Sequence, residues 1–151
     1  MTAWETDLLA DLIQQKRDCL RQLQAAGEKQ LELVREGRIT ELLDLLAAKQ
    51  GVLRAVERIE KRLEAFRKQE PRQRRWRSPE RRAECARHVE ECEALLRRIV
   101  DVERYSEREL IVQRDRTADQ LQGVHRASQA RGAYADASRP GGLQIDLSSE
   151  R

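Results

Sequence analysis

The side chains best suited to chemistry lie close together at Cys85, His88 and Cys92. At 100° per residue they fall within about 60° on one helix face, which gathers three soft metal-ligand types on one side. A zinc site requires a fourth group, and Cys19 is the remaining thiol of the chain. The C-x2-H-x3-C spacing on a single helix is not a common zinc framework, however. The expectation is therefore structural, with the cysteines as small buried apolar residues, His88 at the edge of the seam, and no metal.

A second cluster is RQRRWR, residues 72 to 77, where Arg72, Arg74, Arg75 and Arg77 surround Trp76. Arginines neutralise phosphates and an indole stacks on bases, so this run is the candidate anion or nucleic-acid patch. Two other uses compete with that one: a solvated inter-helix loop with Trp76 folded back on the hairpin end, and an electrostatic dock for an acidic protein. Nothing else suggests chemistry. The chain has no Gly-rich phosphate loop, GxSxG turn, HExxH helix or paired-cysteine zinc pattern, and His125 has no proton-transfer partner nearby in sequence. A non-enzymatic protein without cofactor is expected.

The elements that position these residues are helical. From Thr2 to about Glu36, Leu9, Leu12, Ile13, Leu20, Leu23, Leu31 and Val34 recur at three- and four-residue spacing, which predicts a first helix. Gly37 supplies its stop, and Ile39 and Thr40 read as the hydrophobic residue and N-cap of the next helix, so the GRIT turn implies an antiparallel hairpin. The second helix, about 41 to 69, repeats Leu45, Val52, Ile59 and Phe66 at seven-residue intervals beside Leu42, Val56 and Leu63. Gly51 interrupts it at a cost of about 1 kcal/mol relative to Ala; a close approach by a neighbouring helix is one reason for a glycine there, and the sequence alone does not decide it. Pro71 and Pro79 bracket a break, after which Ser78 caps a third helix with Pro79 in its first turn.

This third helix is expected to run to about Arg131, with Val89, Cys92, Leu95, Leu96, Ile99, Val100, Leu110, Ile111, Leu121 and Val124 as apolar positions. From Gly132 the composition turns to Gly, Ser, Asp and Pro, which predicts a flexible, disordered tail over 132 to 151. Within it LQIDL alternates, suiting either strand addition to a partner or simple solvation. The whole is an all-α chain: an elongated antiparallel three-helix hairpin or coiled-coil bundle, residues 1 to 131, with a long third helix.

Composition agrees with that class. Only five of the 151 residues are aromatic, 39% are apolar, and 30 basic side chains interleave with 27 acidic ones for a balance of +3. The basic excess sits mainly in residues 70 to 82, where six Arg face two Glu. The start has no basic n-region or uninterrupted apolar stretch, no window approaches a membrane span, and three cysteines do not suggest a disulfide framework, so a cytoplasmic location is expected.

Three antiparallel helices of this length, the segment GRITELLDLLAAKQGVLRAVERIE and the C-terminal RGAYADASR together resemble the FlgN-type flagellar export chaperones, with the FliT-type close behind. The shared pattern is an "LLxLLxxKQxxLxxxExIE"-like helix, Leu42 to Glu60, and a long helix ending near an Ala-x-x-Tyr element, here Ala130 to Tyr134 with one extra residue. The Arg-rich loop departs from that family. The resemblance implies a chaperone that holds the helical terminal segments of the hook-associated proteins FlgK and FlgL and delivers them to the export gate, with Tyr134 as a contact for the gate.

Unequal helix lengths suggest where a client would bind. If the third helix starts level with the end of the second, its last 20 or so residues have no partner within the chain. Leu110, Ile111, Ala118, Leu121 and Val124 are then an apolar line left for another protein or a second copy, unless the helix bends back or frays near Gly123. A self-associating coiled-coil scaffold and a small nucleic-acid-binding helical protein are the rival classes.

Overall fold

The computed structural model describes residues 2–138 and divides into two compact units, Met1–Leu110 and Ile111–Arg151. Three α-helices account for nearly all of it: α1 (Ala3–Glu36), α2 (Ile39–Arg67) and α3 (Pro79–Ser138), with a single 3-10 turn at Pro71–Gln73. No strand occurs among the described residues, so the all-α, three-helix architecture is the one the periodicity implies.

Local chemistry sets most of the boundaries. Thr2 opens α1 with a capping box, its hydroxyl accepting from the Glu5 amide while the Glu5 carboxylate accepts from the Thr2 amide. Gly37, at φ 67°, closes α1: its amide donates to the Val34 carbonyl and the Arg38 amide to the Leu33 carbonyl. This double bond pattern satisfies two orphan carbonyls in a conformation that glycine adopts without strain. Because that closure ends at Arg38, α2 begins at Ile39, and Thr40 is inside the helix rather than its cap. At the third helix Ser78 Oγ accepts from the Arg81 amide, as its cap position predicts.

Packing in the first unit follows from the apolar faces. Leu9 and Leu12 of α1 meet Ile59, Leu63 and Phe66 of α2; Leu20 and Leu23 meet Cys92 and Leu95 of α3, flanked by Val52 and Val56; Leu33 and Val34 meet Leu42. The residue numbers fall along α2 as they rise along α1, so these two helices are antiparallel. The bonds Arg17 to His88, Arg21 to Glu91 and the approach of Gly27 to Val102 place the first part of α3 parallel to α1. Ser106 stands where the buried line of α3 ends, 1% exposed and with no partner for its hydroxyl.

The close approach considered for Gly51 falls at another glycine. Gly51 is exposed, and a Cβ there would meet nothing within 4 Å, so no neighbouring helix approaches it. Gly27 is the close approach, since a Cβ added to it would fall 3.3 Å from Val102 Cγ1. Gly51→Ala is therefore expected to stabilise the chain by about 1 kcal/mol, the difference in helix propensity with no steric penalty. A urea midpoint unchanged or lowered by that substitution would contradict the open environment assigned to it.

The third helix also differs from expectation. It passes Gly132 and continues to Ser138, because Gly132 keeps a negative φ and is followed by Ala133, Ala135 and Ala137, strong helix formers. The expected tail at 132 to 138 is thus helical. Residues 139 to 151, LQIDL included, lie outside the described residues.

Candidate functional site

The Arg-rich run is built into the first unit. Trp76 packs against the cluster of Leu9, Leu12, Ile59, Leu63 and Phe66, and the Thr6 hydroxyl donates to the Arg75 carbonyl at 2.6 Å. Arg77 and Arg81 both pair with Asp7 in the second turn of α1. Arg74 Nη2 donates to the Phe66 carbonyl at 2.9 Å, closing the C-terminal end of α2, while its Nε is buried without a hydrogen-bond partner. The structure therefore does not present Arg72, Arg74, Arg75, Trp76 and Arg77 as one open patch. Arg72 and Arg75 stay exposed with no ion pair among the described residues, whereas Arg74 and Arg77 act as ties within the chain.

The thiols and His88 are likewise absorbed by packing. Cys85 and Cys92 are buried, and burial pushes both thiols above their ordinary range. The Cys92 thiol faces the Ile13 carbonyl at 3.9 Å, and Arg17 Nη1 donates to His88 Nε2 at 2.8 Å. Cys19 packs instead against the cluster that α1 forms with α2, so it is not brought to the α3 thiols. Among the described residues no three His, Cys, Asp or Glu side chains converge as a metal site. His125 is exposed.

Buried charge is concentrated between the helices. Lys49 of α2 reaches Gln30 of α1 and Glu103 of α3; burial holds its ammonium below the usual lysine range. At Glu60, burial opposes the charged form, but bonds from Lys16 and Arg67 outweigh it and hold the carboxyl below the ordinary value. The bond from Arg77 holds the half-buried Asp7 carboxyl low as well, against the opposing effect of burial. Carboxyls depressed in the folded state stabilise it above their unfolded values and lose that contribution as pH falls through the folded ones. The thermal midpoint is expected to drop on acidification below the ordinary values of 4.5 and 3.8 for these groups, and Glu60→Gln should flatten part of that slope. A midpoint independent of pH from 5 down to about 2.5 would rule this out.

The predicted client line falls on both units. Leu110, the last residue of the first unit, is 42% exposed. In the second unit Ile111 is 43%, Leu121 65% and Val124 63% exposed, Ala118 is exposed, and Tyr134 is exposed on the helix that continues past it. Gln113 is the single residue of 111–137 that is even partly buried. Gly123 does not interrupt the helix. The apolar side chains of this unit thus face water along a regular helix, a surface suited to helix-on-helix contact.

Periodicity alone does not single out a groove that the first unit carries. It is lined by Leu9, Ile13, Leu63, Phe66, Trp76 and Val89 among others, and its signal in the sequence is the line Val89, Leu96 and Val100 running beside the one formed by Cys85, Cys92 and Ile99. One neighbouring helix covers only one such line. No helix among the described residues is long and apolar enough to cross a membrane. Comparison with family models, curated proteins and solved structures found no match to the chain.

Proposed function

We propose that this protein is a non-enzymatic helical chaperone that shelters an amphipathic helical segment of another protein along the second unit of α3. On the resemblance in Leu42 to Glu60 and Ala130 to Tyr134, the client is a terminal segment of a FlgK- or FlgL-like hook-associated protein, held in the bacterial cytoplasm. Tyr134 is then a contact for the export gate. The observation that supports this reading is the uncovered apolar line at Ile111, Leu121 and Val124. Exposed apolar surface arranged along one regular helix is the form in which a partner helix is received.

The same line also favours self-association through a coiled coil, and one experiment separates the two. The purified chain is mixed with peptides spanning the N- and C-terminal helices of FlgK- and FlgL-like proteins, and sedimentation is followed with and without them. A monomer that forms a one-to-one complex is expected. Self-association that leaves no affinity for those peptides would assign the line to a second copy instead. The nucleic-acid reading is weakened because Arg74 and Arg77 are committed to Phe66 and Asp7.

A further inference from the structure

The contact between α3 and the α1–α2 hairpin changes character along its length. From Cys92 to Ile99 α3 shares an apolar cluster with Leu20, Leu23, Val52 and Val56, and the turn before it is tied down by Trp76, the Thr6–Arg75 bond and the Arg77–Asp7 pair. Past Ile99 that kind of contact ends. The next cluster along the hairpin, Leu33, Val34 and Leu42 with Leu45, is made by α1 and α2 without α3.

Over residues 100 to 110 the contact is mainly polar. Lys49 of α2, its side chain only 10% exposed, donates to Gln30 Oε1 of α1 at 2.9 Å and pairs with Glu103 of α3. Val102 lies against Gly27, where α1 offers no side chain to pack on it. The Arg35 guanidinium stands 5.4 Å over the Tyr105 ring. Ser106, next to it, is buried with a hydroxyl that has no partner among the described residues.

Two of these groups are held at a cost. Burial disfavours the Lys49 ammonium and pushes its pKa below the usual lysine range, and the Ser106 hydroxyl loses the bonds that water would give it. Both costs are relieved when this stretch of α3 leaves the hairpin, and the attraction between Lys49 and Glu103 opposes that step. The partners are unequal. Glu103 is 39% exposed and can be solvated where it stands, whereas Lys49 cannot.

We propose that residues 100–110 of α3 form a latch that opens from the α1–α2 hairpin while residues 79–99 stay packed, with the Lys49–Glu103 pair as its catch. The latch requires no client and stands apart from the function proposed above.

Thiol labelling of the full-length chain tests this. Ser106→Cys places a thiol under the latch, and the native Cys92, buried in the part that stays packed, is the internal control. A maleimide is added under native conditions in a Cys19→Ala background, and peptide mass mapping gives the rate at each thiol. The rate of the same thiol in urea, divided by the native rate, is its protection. Protection at position 106 is expected to be at least about tenfold lower than at Cys92, as for a local rather than a global opening. Glu103→Gln, which leaves the Lys49 ammonium buried without its counter-charge, should lower it by about another tenfold and leave Cys92 unchanged. Lys49→Met combined with Gln30→Met, which puts apolar side chains of similar length in place of the buried polar ones, should raise it. Equal protection at the two positions would overturn the latch. So would a Glu103→Gln effect that is absent or shared by Cys92, or a double variant that gains no protection. Should the thermal midpoint show that Ser106→Cys does not fold, Val102→Cys carries the probe, as a smaller side chain on the same segment.

Discussion

Leu12→Ala is expected to destabilise the first unit by about 3–5 kcal/mol. Leu12 has no accessible surface and lies among Leu9, Ile59, Leu63 and Phe66, where α1 meets the C-terminal half of α2. The alanine loses the transfer free energy of the removed atoms and leaves a cavity as well. That cavity is hard to collapse, because the Lys16–Glu60 ion pair ties the same stretches of α1 and α2 together, and Trp76 packs on the cluster from the turn. Against a total stability of about 5–15 kcal/mol for an ordinary domain, this is a large share. The measurement is urea unfolding followed by far-UV circular dichroism, in which the midpoint should fall with an unchanged slope. Ile39→Ala is the control: Ile39 is 58% exposed, so the change should stay within about 0.5 kcal/mol. A Leu12→Ala cost no larger than that of Ile39→Ala would mean that α1 does not pack on α2 as described.

Leu121→Asp combined with Val124→Asp is expected to weaken client binding roughly a hundredfold while leaving the fold unchanged. Both side chains are more than 60% exposed, so each aspartate remains solvated and the stability change should be within about 0.5 kcal/mol per site. In a complex the same positions would be covered. There each charge would lose its water and the helix would lose two apolar anchors, an effect of about 2 kcal/mol or more at a well-buried contact. Truncation after Arg116 makes the same point more severely. Every member of the three core clusters lies at or before residue 99, so the shortened chain should still unfold cooperatively while losing the client. Full affinity for the hook-associated peptides in either variant would remove the client line from the proposed function.

The clusters of reactive residues show why side-chain type alone is a weak guide to a site. Cys85, His88 and Cys92 share a face of α3 as their spacing requires, yet the face is turned to α1, where Arg17 and the Ile13 carbonyl occupy the polar atoms. The four arginines of the turn are adjacent in sequence and divide in function once folded. Arg77 reaches back to α1, Arg74 closes the end of α2, and Arg72 and Arg75 stay in solvent. Thr6 gave no sequence signal at all. It is fully buried because the turn brings the Arg75 carbonyl to it, an encounter between residues 69 positions apart.

By itself the sequence determined the elements and their order. Recurrence of Leu, Ile and Val at three and four residues, a glycine able to adopt positive φ at Gly37, and the Ser78-Pro79 start are local properties, and local bonds within a few residues satisfy them whatever the rest of the chain does. The tertiary structure decided which of several adjoining apolar lines is covered. Helical periodicity fixes a face only in relation to its own helix; the offset between helices comes from side chains far apart in sequence that must fill one volume without overlap. In that choice Gly27, not Gly51, became the point of close approach, and Cys92 and Leu95 went inside. Val89 and Leu96 were left facing the groove and Val100 stayed exposed beyond it, because α1 and α2 together offer α3 fewer places than it has apolar lines to fill them.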